Sequence, residues 1–533
     1  MNVTNEEYIK LNNKLQIIKF QYFINKNLIF FSSPPEPDAV PVIDAAEPAD
    51  CVRTKEPLMT EVFHHGARVL LKDRVYRPID TTDTSTIGLV YTAPNADPLK
   101  FPLNTPVLFL ADRYQAADLG TAGTGRDAID GIYDHIGVPI VGIRVAEAQT
   151  VEQQLASIVG DYATRTGVHA LYRARNSVFK IPKILIAPGF TQQRVTGGIT
   201  QIVVGVGGAG YTEAGTRIVI NGNGYGGGAK AKPIIQAGVI TGVQILNSGI
   251  GYSEAHLVIT IDGDGVNATI SDFEIGTAAN PVVAELGGIA NRLRSTIIAD
   301  CPNGTAEQSV AYRRDWATER IFCVDNHPLV FKDGNTTSEP ASARVAGLLA
   351  QVDNQEGFWV SPSNHVIQGI VGTSKPIDDS GVGGESDYLN ENDVATIVHR
   401  GAGHKLWGNH GSSSDPLWRM FAVGRTRDAI FDSIEKAVDE FAPGKPLNLQ
   451  FFDGVADSVN EKLRYWQSIG ALIGGRVWVD PALNPPGQLV LGKPKFSMNF
   501  EPVGVAEDIQ IIASREPEYY RELVDQVVLA LAA

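Results

Sequence analysis

Cysteine is nearly missing from this chain of 533 residues: only Cys51, Cys301 and Cys323 occur. An odd, widely spaced set cannot form a disulfide framework, and no CxxC or Cys/His spacing offers a zinc site. A reducing compartment is the simplest setting. Long apolar runs are also missing. The most apolar early stretch, residues 15–31, is broken by Lys19, Lys26 and several Asn and Gln, so no membrane insertion is expected. Glu6 and Glu7 stand where a signal peptide would be basic. Positive charge is short too, with Lys+Arg 45 against Asp+Glu 60 and a net charge of -15. That balance argues against direct binding of nucleic acid or anionic lipid.

What is present is the composition of a folded protein, 43% hydrophobic and 20% charged. The length exceeds one ordinary core and implies two to four domains. Residues 1–58 differ in texture from the rest. They are rich in Asn, Lys, Ile and Phe and then pass through Ser33-Pro34-Pro35-Glu36-Pro37-Asp38, a linker-like run. A disordered extension, or a natural start at Met59, is expected there. Residues 59–85 read as an N-terminal arm of strand-like sequence.

From 86 the pattern becomes rhythmic. Residues 85–90 and 138–145 and the run KILIAP at 183–188 are apolar strands, while 115–136 and 151–166 have helical spacing. Strand, helix, strand implies parallel pairing through crossover helices. The rhythm stops near 192 and resumes at 277, with a helix over 282–296, a strand at 320–324 and a helix over 341–352. Residues 86–192 and 277–400 are therefore two halves of one α/β core. Between them, 193–276 is dense in Gly, Val, Ile and Thr and repeats itself. Gly207-Gly208-Ala209-Gly210-Tyr211-Thr212 matches Ser248-Gly249-Ile250-Gly251-Tyr252-Ser253, and Ile218-Val219-Ile220 matches Ile259-Thr260-Ile261, at one constant offset. This is an inserted all-β module made of two copies.

Beyond 400 the chain reads as an α+β C-terminal domain (401–487). It has a long amphipathic helix over 416–441, a second over 454–472 and a strand at 476–480. Residues 488–513 alternate as strands, and 517–531 form a last helix, so 488–533 is a C-terminal arm. An unpaired strand needs a cover. Val69, Leu71, Val75, Ile509 and Ile511 are candidates for strand exchange between copies. Pairing within one chain fits the pattern equally well. Arg419, Arg425, Arg427 and Lys436 lie near the 416–441 helix, off its apolar stripe. They either solvate a face or form a docking surface for an acidic partner.

Apparent catalytic motifs have plainer readings. Residues 205–210 and 222–227 fit GxGxxG, but strands flank both and no helix follows, so the glycines serve turns. Asp262-Gly263-Asp264-Gly265 lacks the further ligands of a calcium loop. His410-Gly411-Ser412-Ser413-Ser414-Asp415-Pro416 has no GxSxG; Ser414 or Asp415 reads as an N-cap with Pro at the first helical position. No cofactor, metal or catalytic residue is expected.

The sequence resembles a known family. Phe63-His64-His65-Gly66, Arg77-Pro78-Ile79, Ser85 through Asp97, and Phe101-Pro102-Leu103-Asn104-Thr105-Pro106-Val107 are similar to the start of tail sheath proteins of contractile-tailed phages and R-type pyocins. Ser363-Asn364-His365, Ile370-Val371-Gly372-Thr373, Leu406-Trp407-Gly408-Asn409, Ser414 through Trp418 and Arg425-Thr426-Arg427-Asp428 continue it in order. The module and residues 1–58 lie outside that pattern. The resemblance implies a subtilisin-like core without protease activity. It implies a helical homo-oligomer around a tail tube protein, with baseplate and tail terminator proteins as further partners. It also implies terminal arms that join neighbouring copies, a C-terminal domain facing the tube, and residence in a virion tail assembled in the host cytoplasm. A serine hydrolase of subtilisin-like fold is the alternative. A receptor-binding protein that uses the module is a third reading.

Overall fold

The structure, a computed structural model, describes residues 78–532 other than Asp333 and Ala402. The 1–58 segment and the arm candidates Val69, Leu71 and Val75 lie outside the described residues. The first strand, β1 (Ile87–Thr92), is buried along its whole length. Such a strand must be covered on both faces. In chain order follow β2 (Pro106–Leu110), α1 (Arg113–Ala117), α2 (Gly125–Tyr133), β3 (Pro139–Val145), α3 (Val151–Val159) and β4 (Ile184–Ile186). Two expected helices are shorter than their apolar spacing suggested. The 115–136 stretch is split by Gly120 and Gly123, at φ 78° and 86°. The 151–166 helix stops at Gly160, whose φ of 64° is foreign to a helix.

The inserted chain forms β5 (Val195–Ala209), β6 (Arg217–Asn221), β7 (Lys230–Gln236), β8 (Val239–Asn247), β9 (Val258–Asp262) and β10 (Val266–Ala278). The core resumes with α4 (Pro281–Leu293), β11 (Thr296–Asp300), α5 (Ala306–Arg313) and β12 (Ile321–Val324). Asn280 caps α4 with Pro281 at its start, and Thr305 with Gln308 makes a capping box on α5. A small antiparallel set, β13 (Pro328–Lys332), β14 (Asn335–Ser338) and β15 (Gly372–Thr373), brackets α6 (Ala341–Gln355). Then come α7 (Glu385–Glu391), β16 (Val394–Arg400) and β17 (Gly403–Trp407).

The main sheet has the order β17-β16-β12-β11-β4-β1-β3-β2. Its six inner strands are parallel, and β2 and β17 close the two edges antiparallel. One face packs against α2 and α6, the other against α3, α4 and α5. The fold is therefore a mixed α/β architecture with helical layers on both sides.

The inserted strands form an interlocked pair. β10 pairs with β5, β7 with β8, and β6 with β9, all antiparallel. Val219 sits opposite Thr260, its own counterpart in the repeat, so a local two-fold axis passes between them. The first strand of each copy pairs with the last strand of the other. Tyr211 N–H donates to Gly238 O at 3.0 Å, and Tyr252 N–H donates to Gly197 O at 2.8 Å. Both tyrosine rings are buried, and their hydroxyls accept from the N–H groups of Ala268 and Ala229. Gly208 and Gly249 hold equivalent left-handed turns at φ 61° and 63°. The module is seated on α4. Glu285 accepts from Asn247 at 3.1 Å and pairs with Lys230 at 2.7 Å. Burial works to raise the Glu285 pKa, but contacts from His169 and Lys230 outweigh it and hold it near 2.

The last part contains α8 (Phe421–Phe441), α9 (Leu449–Ser468), β18 (Leu472–Trp478), α10 (Pro486–Val490), β19 (Ser497–Pro502) and α11 (Tyr519–Ala532). A third apolar cluster joins α8, α9, β18 and β19 around Trp466. The expected helix over 416–441 does not run unbroken. Asp415 caps a single 3-10 turn, Pro416–Trp418, and α8 begins only at Phe421. The break follows from a bridge between His410 and Met420, which pulls Met420 into an extended conformation. The expected strands over 488–513 reduce to β19. Residues 503–516, including Ile509 and Ile511, belong to no strand.

A β-carbon on Gly249 would lie 2.6 Å from the Ala229 nitrogen. Gly249→Ala should therefore destabilise the module by at least about 1–3 kcal/mol from strain in the left-handed turn alone. Hydrogen exchange should show lost protection in β5–β10 while β1, β4 and β11 stay protected.

Candidate functional site

α8 carries charge on the side opposite its apolar stripe, and that side faces protein. Arg425 makes a two-pronged pair with Asp353, one prong at 2.8 Å, with side chains 5% and 1% exposed. Arg427 reaches Glu319 at 2.9 Å and Asp428 at 3.0 Å. Asp428 in turn pairs with Arg320, and Asp432 with Lys183 and Arg294. These pairs form a seam that fixes α8 to the α/β core. The expected basic docking face at Arg425 and Arg427 is thus corrected: both arginines are spent inside the chain, because their acidic partners come from α6 and the segment before β12. Arg419 is half-exposed and pairs with Asp393. Lys436 is exposed, among Glu435, Asp439 and Glu440. The outer face of α8 is therefore mainly acidic.

The second feature is the root of the C-terminal tail. Val503 N–H donates to Ala471 O at 3.3 Å, and Val505 N–H approaches Met420 Sδ at 3.3 Å. Glu507 reaches His410 Nε2 at 2.9 Å. His410 Nδ1 lies 3.2 Å from Asp393, which also holds Arg313 and Arg419. The Asp393 carboxylate and then Glu507 raise the His410 pKa above its usual value, against the effect of burial. Past this mooring the tail is bare. Among the described residues, no backbone group of 508–516 has a hydrogen-bonding partner. Ile509 and Ile511 are 77% and 88% exposed. Sequence alternation marks these residues as strand-like; it does not reveal that their backbone has no partner among the described residues.

The serine-rich stretch does not assemble a nucleophile and base. Ser412 is buried, with its N–H donated to Ile321 O, and Asp415 is spent as a cap. A second group of Ser, His and Asp, which sequence reasoning missed, lies at the end of β11. There Ser342 Oγ donates to Asp300 at 2.6 Å, both fully buried, and His327 stands close by without taking the serine proton. Burial raises the Asp300 pKa. A serine bound to a carboxylate in this way ties the α6 start to β11 and lacks the base a nucleophile requires. The Asp262 and Asp264 motif is also structural: Asp262 pairs with Arg217, and Asp264 accepts from Thr212 and Thr216. Hydrogen bonds from Thr212, its side chain first, hold the Asp264 pKa near 2.

The described residues thus comprise an α/β core, an inserted β module, a C-terminal α+β region and a tail segment, 508–516, without backbone hydrogen bonds among them. Residues 249–410 match the phage tail sheath protein central domain. A prophage major tail sheath protein of Pseudomonas aeruginosa (strain UCBPP-PA14) is 28% identical over 472 residues, covering 87% of this chain and 99% of that protein. The tail sheath protein of Burkholderia phage BcepMu is 29% identical over 465 residues, covering 81% and 93%. The fold is similar to the helical sheath of the anti-feeding prophage in its contracted state. There the TM-score is 0.53 at 15% identity, over 85% of this chain and 99% of that one. The sheath complex of an extracellular contractile injection system, also contracted, gives a TM-score of 0.54 at 12% identity, over 86% and 99%. The matching family model, these relatives and these solved structures are all of tail sheath proteins of phages and contractile injection systems, and this chain is similar to them.

Breaking the buried seam should be costly. Arg425→Ala should lower unfolding free energy by about 3–5 kcal/mol, because Asp353 would be left buried and uncompensated. Lys436→Ala should stay within about 0.5 kcal/mol; urea unfolding distinguishes the two. The raised His410 pKa gives a pH signature. Its stabilisation is complete below the unfolded-state value of about 6.5 and is lost as pH rises through the higher folded-state value. The urea midpoint should therefore fall over that interval in the natural chain and fall less in His410→Gln.

Proposed function

We propose that this sheath chain polymerises helically around a tail tube and shortens to drive the tube through a bacterial envelope. The observation that carries this reading is the segment 508–516, which belongs to no helix or strand and whose backbone groups have no hydrogen-bonding partner among the described residues. Each ladder bond contributes about 1 kcal/mol net, so a neighbour's strand would gain several by pairing with it. Ile509 and Ile511, with Val69, Leu71 and Val75 at the other end, are the proposed exchange residues. Arms that stay paired while bodies move would let a metastable extended lattice pass to a lower-energy one.

In this proposal residues 86–192 and 277–400 are the halves of a subtilisin-like sheath domain without catalytic activity. Residues 193–276 decorate the outside, and 401–487 face the tube. Arg419, just before α8, and Lys436, on it, remain the proposed tube contacts, while Arg425 and Arg427 are engaged in the ion-pair seam. Tube, baseplate and tail terminator proteins are the proposed partners, and assembly takes place in the host cytoplasm before the virion tail is complete. Relatives named as sheath proteins, two of them structures of contracted sheaths, support the reading.

Purified chain should form tubes or rings visible by negative stain and should not react with a fluorophosphonate probe. Deleting 195–276 should leave tube formation intact, since Val195 and Ala278 are paired neighbours that a short turn can join. Monomers under all conditions, or labelling of a single serine, would count against the proposal.

A further inference from the structure

α11 is a 14-residue helix without a buried residue. Tyr520, Leu523, Val524, Val527, Val528 and Leu531 follow three- and four-residue steps, so they form one apolar stripe. Those six side chains are 48–83% exposed. A helix of this length is marginal in water by itself and is held by packing on an amphipathic face. Residues 508–516 separate it from the Glu507 mooring and can span about 30 Å when extended. The helix can therefore reach well beyond the edge of its own subunit.

The same chain carries a surface of matching chemistry. Asn484 binds both backbone groups of Lys495, at 2.8 Å each, and so closes the neck of a loop. Val490 and Leu491 stand on that loop, 86% and 69% exposed. Phe496, beside the neck, meets the rings of Phe451 and Phe452 in the first turn of α9, where Leu449 is also exposed. Lys445 shortly precedes Leu449 in the chain, and Lys493 and Lys495 lie between Leu491 and Phe496; all three are exposed, and none has an acidic partner among the described residues. The helix region has the opposite charge. Between 516 and 525 it carries Glu516, Glu518, Glu522 and Asp525 against Arg521 alone.

We infer that α11 of one copy docks on the 484–495 loop and the α9 start of a second copy. The apolar stripe covers Leu449, Val490 and Leu491, and the helix carboxylates meet the three lysines. This contact is separate from any strand pairing by 508–513, although it rests on the sheath reading. It gives the tail a second anchor beyond the pairing segment, so that segment would be held at both ends.

Crosslinking between differently marked copies tests the inference. In a Cys51→Ser background, chain carrying Val527→Cys is mixed with chain carrying Leu491→Cys, assembled, and oxidised with diamide. Disulfide-linked pairs containing one chain of each kind are expected. Tubes without such pairs would overturn the docking, as would a link formed within one molecule of the doubly substituted chain. Charge exchange gives an independent readout. Replacing Lys445, Lys493 and Lys495 by Glu should slow tube assembly at least tenfold, and adding Glu516→Lys, Glu522→Lys and Asp525→Lys should restore it. Normal assembly by the triple-Glu chain, or failure of the rescue, would count against the contact. If chain ending at Glu516 assembles like the full chain, the docking fails while the sheath reading stands. If the natural chain itself never assembles, the sheath reading fails and the docking falls with it.

Discussion

The ion-pair seam along α8 organises the C-terminal half of the molecule. A helix with one apolar stripe can usually bury one side only. Here the stripe packs against α9, β18 and β19, while the opposite side is held to the α/β core by Arg425–Asp353, Arg320–Asp428 and Asp432 with Lys183 and Arg294. Burying charge costs on the order of several kcal/mol of desolvation per ion, and pairing offsets that cost in part. α8 therefore acts as a strut between two apolar clusters, and movement of the core would be carried to the C-terminal region through it.

The seam also explains a limit of reading the sequence. Arg425 and Arg427 have the spacing of solvent-facing residues, and their partners Asp353 and Glu319 are 72 and 108 positions away. Helical periodicity describes one element's own faces and contains nothing about a charge brought in from elsewhere. The inner strands were legible because strands buried on both faces read as unbroken apolar runs, as in β1, β3 and β4. Asp415 was legible as a cap, although it caps a single 3-10 turn instead of the long helix, and helix ends were not legible where glycines with positive φ cut a longer pattern.

The repeat was visible at its constant offset, yet its topology was not. A duplicated sequence can build two separate hairpins or one exchanged pair. Only the register, with Val219 facing its own counterpart Thr260, distinguishes them. The tail shows the converse. Alternation of apolar and polar residues at 508–513 is a real signal of extended backbone, but whether a partner strand lies beside it depends on tertiary structure. The family resemblance and the unpaired backbone together indicate where that partner should be sought.

The paired positions Val195 and Ala278 mark the doorway through which the chain enters and leaves the two-fold module. Residues facing each other across antiparallel strands are only about 5 Å apart. The host fold therefore experiences the module as little more than a hairpin turn, whatever its size. Any domain with equally close ends could be exchanged there at small entropic cost, making this position a natural socket for varying the inserted domain while the main sheet stays constant.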